Sequence, residues 1–465
     1  MSVAEATPDY EVGTHDDRAF LGHPKGLGYL GFTEGCERFS YYSMQTLLTL
    51  YMVNYLLVPG RIDKVIGLHW LQMHVYRGLS GQPLASAIFG TYTALVYFTP
   101  IFGGILADSL LGRTRTLILG GVLMAIGHFL MAIQSAFVFA LLALLLGVGA
   151  FKGNIATQVG DLYGPNDLRR AMAFQIFYIF INVSVIIAPL ISGTLGQKVG
   201  WHYGFGCAGI VMVLGLIIYL SGRRWLAPEQ PRRRAENAVP RERMTRDDWM
   251  CVIYLMILIP VLAIAMLTNQ QIFNAYLIWG DQKFDLRLLN NTSSWLITVD
   301  AAVSFTMLVA VAAFWKWWGS RRTEPDEITK MIIGSFFTIA GALCLFMGAL
   351  TAPAHGKISL LWPMGFELMN SIGFAHILPV SLALFSKIAP KQISATVIGL
   401  YYLAFFAANA LVGYVGGFYS SLPTTTFWLI HAASAAVGLV AFIVFKLVIG
   451  RRMESRPEDQ AAALS

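Results

Sequence analysis

The chain has 465 residues, 56% of them hydrophobic and only 13% charged. That balance excludes ordinary water-soluble domains, because so little polar surface cannot cover so much apolar surface. The formal charge of +7 is spread between apolar runs rather than gathered in a patch, so no nucleic-acid partner is expected and the lipid bilayer is the solvent to consider.

Residues 1–24 form a polar, acidic segment carrying Asp9, Glu11, Asp16 and Asp17. It lacks the basic-then-apolar order of a cleaved secretory signal, which leaves the first span as the targeting signal. A helix needs about 20 apolar residues to cross the bilayer core. Twelve runs meet that requirement, at about 27–57, 83–109, 115–134, 136–163, 168–196, 201–221, 248–280, 292–318, 327–352, 357–388, 393–419 and 423–449. The outer stretch near residues 59–83 is longer than a turn requires and predicts a short surface helix between Lys64 and Tyr76. Between the sixth and seventh runs lies a Pro-, Arg- and Glu-rich connection. The expected organisation is therefore a cytoplasmic segment 1–24, a six-helix bundle 25–221, a linker 222–247, a second six-helix bundle 248–450 and a tail 451–465.

Lys and Arg are retained on the cytoplasmic side during insertion. Arg113, Arg115, Arg169, Arg170, the basic run of the linker, Arg321, Arg322, Lys387, Lys391, Arg451 and Arg452 all fall on one side when both termini are cytoplasmic. A multi-pass protein of the bacterial inner membrane is expected. Cys36, Cys207, Cys251 and Cys344 lie in separate apolar spans and predict neither disulfides nor a metal knuckle.

The connection after the second run reads Gly104, Asp108, Gly112, Arg113 and Arg115, with spacing G-x-x-x-D-x-x-x-G-R-x-R. Gly suits close helix approach and tight reversal, and the Asp can cap or pair with the Arg side chains. This resembles the inner-loop signature of the major facilitator superfamily. The resemblance implies that fold: all-α, twelve transmembrane helices in two bundles.

Span one places Glu34, Glu37, Arg38, Tyr41, Tyr42 and Gln45 on a single helical face. Each charge near the membrane centre costs about 2.5–3.5 kcal/mol on insertion scales. Three such charges in five residues point to a site, with a packing ion-pair cluster as the alternative. Read as E-x-x-E-R-F-x-Y-Y, the stretch resembles the first-helix motif of the proton-dependent oligopeptide transporter family. Lys152 within Gly149–Asn154, and the Phe177–Asn182 stretch F-Y-I-F-I-N, also match that family, as do Tyr92 and Glu367 at its pocket positions.

The chemistry agrees with the resemblance. A free peptide is a zwitterion with variable side chains, so a general receptor grips its two termini and leaves the middle loose. Arg38 offers a planar fork and Lys152 a point charge to the carboxylate. Glu367, in the other half, can receive the ammonium, so cargo bridges the halves. Tyr41, Tyr92 and Asn182 supply unselective hydrogen bonds and ring surface. Proton coupling is assigned to Glu34, Glu37, Arg38 and Lys152: burial disfavours a carboxylate and a neighbouring cation restores it, so protonating Glu37, helped by Glu34, frees a cation for the cargo. Protons are the coupling ion, and no cofactor or metal is expected. His128, His376 and His431 lie singly on apolar spans and read as packing residues.

Several positions depart from the family pattern. Ser43 and Ser184 stand where it has Gly. Gln45 and Asn269 replace an expected Arg and acid, and are read as a gate held by a neutral amide hydrogen bond worth about 0.5–1.5 kcal/mol. Asp300 appears where the family has Asn and can share the ammonium task, and Tyr401 replaces a Trp of the pocket. The expected function is a proton-coupled symporter importing di- and tripeptides by alternating access, working as a monomer. The alternative is a proton-coupled major facilitator carrier of another small solute or drug. An enzyme is not expected, since no nucleophile and base occur at helical spacing.

Overall fold

The computed structural model describes residues 17–164, 167–228 and 244–450. The predicted N-terminal segment through residue 16, the linker interior 229–243 and the tail 451–465 lie outside the described residues. Among the described residues, eleven helices are long and apolar enough to cross a membrane: α2 (Gly81–Leu111), α3 (Arg113–Met131), α4 (Gln134–Asp161), α5 (Arg169–Val199), α6 (Trp201–Trp225), α7 (Arg246–Lys283), α8 (Trp295–Gly319), α9 (Glu327–Leu350), α10 (Leu361–Ile388), α11 (Thr396–Gly416) and α12 (Thr424–Val448). They follow α1 (Lys25–Tyr51), a 27-residue helix whose hydropathy is lowered by Glu34, Glu37 and Arg38. Helix α1 is nonetheless the most enclosed of the set, with both its apolar and its charged residues buried. A charged helix is tolerated in a membrane when protein rather than lipid surrounds it.

Local signals set the helix ends. Gly112 at φ +78° makes the tight reversal between α2 and α3, a conformation costly for residues with a Cβ. Thr245 and Asp248 form a capping box at the start of α7, and Asp326 caps α9 through the Thr329 amide at 2.6 Å. The predicted surface helix is present as Leu68–His74.

Packing repeats with a period of six helices. In the first half α1 packs on α5 and α6, α4 on α2 and α3, and α3 on α6. In the second half α7 packs on α11 and α12, α10 on α8 and α9, and α9 on α12. The halves meet through α2 on α11 and α5 on α8, which are equivalent pairs under the same repeat. One apolar core gathers mainly residues of the first half, joined by Leu267 and Val412, and two others gather residues of the second half, one of them joined by Leu50. This is the arrangement of a twelve-helix transporter with internal repeats.

One motif works differently from its expectation. A Cβ on Gly104 would meet nothing within 4 Å, whereas one on its neighbour Gly103 would fall 2.0 Å from the Gly149 carbonyl, so Gly103 makes the close approach of α2 to α4. Asp108 is exposed, and Arg113 pairs instead with Asp161 at the end of α4, at 2.8 Å.

Candidate functional site

Helix α1 holds the densest buried charge. Arg38 Nε donates to Glu34 Oε1 at 2.9 Å and lies 2.6 Å from Glu37 Oε2, with all three side chains at most 5% exposed. The four-residue spacing brings Glu34 and Arg38 together on one helical face. The set is not saturated. Glu34 Oε2, both Glu37 oxygens and Arg38 Nη2 are closed from solvent without a well-aligned hydrogen-bond partner. Such groups are costly unless another ligand satisfies them. The Arg38 guanidinium sits 5.5 Å from the Tyr41 ring centre, and Tyr41 stands edge-on to Tyr42.

Lys152, on α4, has no carboxylate partner among the described ion pairs, and its ammonium rests over the Tyr97 ring of α2 at 4.8 Å. It is close enough to Glu37 and Glu34 for their charges to act on it. Tyr92, one turn and a half earlier on α2, is buried with an unpartnered hydroxyl. Asn182 of α5 donates to the Tyr178 carbonyl at 2.8 Å. Sequence reading missed Tyr97, because an aromatic in an apolar span carries no local mark of the cation that settles on it.

In the second half, Glu367 of α10 is fully buried and neither oxygen has a donor. Asp300 of α8 and Tyr276 of α7 lie within reach of it. Tyr276 was not singled out by sequence and is completely buried with its hydroxyl unpartnered. Helix pairs α2–α4 and α8–α10 are equivalent in the six-helix repeat. Lys152 with Tyr97, and Glu367 with Asp300, thus occupy corresponding interfaces with opposite charge.

Two expectations are corrected. Among the described residues no hydrogen bond joins Asn269 to Gln45: the Asn269 amide oxygen accepts from Gln270 at 3.0 Å, and Asn269 lines a small cavity with Thr338 of α9 and Asn370, Phe374, Ile377 and Leu378 of α10. Tyr401 is 1% exposed and packs against Phe385 and Phe405, and its hydroxyl is engaged by Ser381 at 3.0 Å and the Leu378 carbonyl at 3.2 Å. It tightens the α10–α11 interface rather than presenting a ring to cargo.

Contacts between the halves gather at the end of the molecule that carries the α1–α2 connection. Thr49 donates to the Phe273 carbonyl at 3.1 Å, Asn54 to Asp281 at 3.0 Å, Gln82 to the Gly416 carbonyl at 2.9 Å and Ser86 to Asn274 at 2.9 Å. Across α5 and α8, Gln197 donates to Ser293 at 2.6 Å, the Trp295 indole to Thr194 at 2.9 Å and Thr298 to the Ile186 carbonyl at 3.0 Å. Among the described residues, side-chain hydrogen bonds between the halves all lie at this end, so the molecule is latched there. The three histidines pack: His128 meets Ser40 of α1, while His376 and His431 engage the Ile372 and Phe427 carbonyls of their own helices at 2.8 and 2.9 Å.

Comparison with known proteins follows the same lines. The sequence profile of the POT family matches residues 114–246. The chain is 29% identical to the uncharacterized transporter YclF of Bacillus subtilis, over 92% of this chain and 93% of that protein. It is 28% identical to the peptide transporter YePEPT of Yersinia enterocolitica, over 97% and 99%. It is 27% identical to a di-/tripeptide transporter of Lactococcus lactis subsp. cremoris, over 93% and 96%. A crystal structure of a mutant peptide transporter POT in complex with alafosfalin superposes with a TM-score of 0.80 at 26% identity, covering 95% of this chain and 97% of that one. With the buried E-x-x-E-R motif, the twelve-helix repeat and these likenesses together, the chain is similar in sequence and fold to the POT family, a branch of the major facilitator superfamily.

Proposed function

We propose that this chain is a proton-coupled symporter that imports di- and tripeptides across the bacterial inner membrane by alternating access, as a monomer with both termini in the cytoplasm. The observation that carries the reading is Arg38 held between Glu34 and Glu37 deep in α1, beside a Lys152 that has no ion-pair partner among the described residues. The Yersinia peptide transporter and the Lactococcus di-/tripeptide transporter, to which the chain is similar, support the cargo class. The bodies that rock are 25–221 and 248–450, joined by the linker 222–247.

The cycle follows from competition for cations. With both glutamates ionised, Arg38 is engaged and unavailable. A proton arriving at Glu37 from the acidic side breaks that engagement and leaves Arg38 and Lys152 to grip the peptide carboxylate. Glu34 retains one partner contact and keeps the guanidinium aligned. Tyr41, Tyr92 and Asn182 line the peptide without selecting its side chains, and Glu367 with Asp300 takes the ammonium. Cargo thereby ties the α2–α4 interface to the α8–α10 interface, which are the equivalent elements of the two rocking bodies. The positive-inside rule puts the latched end outside, so this conformation is closed outward and releases peptide to the cytoplasm. A membrane potential adds about 2.3 kcal/mol per charge per 100 mV, roughly fiftyfold accumulation of a neutral zwitterion carried with one proton.

The test is uptake of labelled dialanine into liposomes holding the purified protein. Competition by di- and tripeptides, with none by free amino acids, is expected. Uptake indifferent to other dipeptides would assign the fold to a different solute.

A further inference from the structure

The two acids of the second half stand in a defined register. Helices α8 and α10 run in the same direction and pack along each other, and the hydroxyls of Ser304 and Ser371 meet across them at 2.9 Å. One helical turn back on each helix stand Asp300 and Glu367. Residues four apart share a face, so the hydroxyl contact sets the two carboxyls opposite one another, within hydrogen-bonding reach.

Among the described residues, their surroundings supply no counter-charge. Glu367 is 0% exposed with both oxygens undonated, and Asp300 Oδ1 is likewise closed and undonated. The described ion pairs include neither acid. The groups that face them are neutral: Tyr276 from α7, Tyr42 from α1, and the serines of their own helices. Tyr276 is fully buried and its unpartnered hydroxyl is aimed at Glu367. Two ionised carboxylates in contact, away from water and without a cation, repel strongly, and one proton between them turns the repulsion into a hydrogen bond.

We propose that Asp300 and Glu367 share a single proton and act together as one monovalent receptor for the ammonium end of the cargo. Charge balance gives the reason. A doubly ionised pair with one ammonium bound keeps a net negative charge in a low-dielectric site, whereas a singly protonated pair with one ammonium is neutral. The pair presents its remaining oxygens to the ammonium donors, and the Tyr276 hydroxyl supports the carboxylate that carries the charge. This deepens the peptide-import reading and rests on its placing of the ammonium in this half. It makes Asp300 the equal of Glu367, so that neutralising either acid leaves the other to carry the whole charge.

The experiment is counterflow, without any proton gradient, of labelled dialanine into liposomes holding wild type, Asp300→Asn, Glu367→Gln or the double variant. Unlabelled dialanine and N-acetyl-dialanine serve as competitors, and counterflow of N-acetyl-dialanine itself reports that each variant is folded. Each single variant is expected to keep its preference for dialanine within about threefold of wild type, while the double variant loses more than about tenfold, the worth of a hydrogen bond to a charged group. If either single variant loses the preference as completely as the double, the pairing is overturned and the peptide reading stands. A wild type indifferent to acetylation would overturn both.

Discussion

Helices α2 and α11 cross where two glycines meet, and this crossing makes the latch open to a one-atom test. A Cβ at position 90 would lie 2.4 Å from Gly413 Cα, 2.5 Å from Gly413 N and 2.7 Å from the Asn409 carbonyl oxygen, all rigid backbone atoms. Unstrained carbon contacts begin near 3.5 Å, so Gly90→Ala must part the two helices by about 1 Å. They belong to different halves, so the strain falls on the latched conformation and spares each half's own core. Overpacking costs about 1–3 kcal/mol. The Gln82 and Ser86 hydrogen bonds, two turns and one turn away on α2, add about 0.5–1.5 kcal/mol each as parting breaks them. The sum, about 2–6 kcal/mol, is at least a roughly thirtyfold shift away from the latched state. Gly413→Ala should shift it less, because the Cβ it adds comes only to 2.9 Å of Gly90 Cα and 3.0 Å of the Ser86 carbonyl. The assay is electron–electron double resonance between nitroxides at the exposed positions Lys64 and Leu288, after the four native cysteines are replaced by serine. Gly90→Ala should add a longer-distance population. A distribution unchanged from the parent in folded protein would refute the reasoning and move the latch away from this crossing.

Lys152→Ala and Glu37→Gln should each abolish gradient-driven uptake, with Glu37→Gln retaining counterflow because it mimics the protonated acid; Arg38→Ala should lose both. Wild-type accumulation by Lys152→Ala would remove that residue from the coupling set. Gln45→Arg and Asn269→Glu should combine additively on uptake, within about 0.3–0.5 kcal/mol, because Asn269 faces α9 and α10; mutual rescue would show that the amides meet. Asp326 is partly buried, which alone would raise its pKa, but hydrogen bonding to Lys446 and to Thr329 outweighs this and holds it below the usual carboxylate range. A depressed pKa adds stability above the usual carboxylate value that is lost as pH falls through the folded value. Asp326→Asn keeps the cap but loses the partly exposed ion pair with Lys446, so it should destabilise by about 0.2–1 kcal/mol at neutral pH, with the deficit vanishing in acid, as read by thermal unfolding in detergent; an equal deficit at both pH values would contradict this.

Much of the architecture was legible because lipid imposes length and polarity on each helix separately. The face of α1 could be read from spacing alone, and the ion contacts of Arg38 with Glu34 and Glu37 follow from it. Partners across helices were less legible. Periodicity says which face a residue occupies and leaves open which neighbour stands opposite, so Gln45 and Asn269 were paired by analogy although Asn269 turns toward α10. Tyr401 was read as a pocket residue, yet its hydroxyl is spent on Ser381. A gate between α1 and α7 was read at Gln45 and Asn269, whereas the hydrogen bonds that join them lie further along, from Thr49 and Asn54, and the rest of the latch is built from Gln82, Ser86, Asn274 and Gln197, whose types are common in loops and helix ends and signal nothing until two halves bring them together.

Coupling between peptide and proton is the claim on which the account stands, and it can be read without imposing any proton gradient. Purified protein is placed in liposomes containing a trapped pH dye, with equal pH on both sides and potassium with valinomycin to hold the potential at zero. Adding dialanine outside should acidify the interior, since each peptide moving down its gradient carries a proton in, and Glu37→Gln, which keeps only exchange, should leave the internal pH unchanged. Peptide entry by wild type with no change in internal pH would contradict the account.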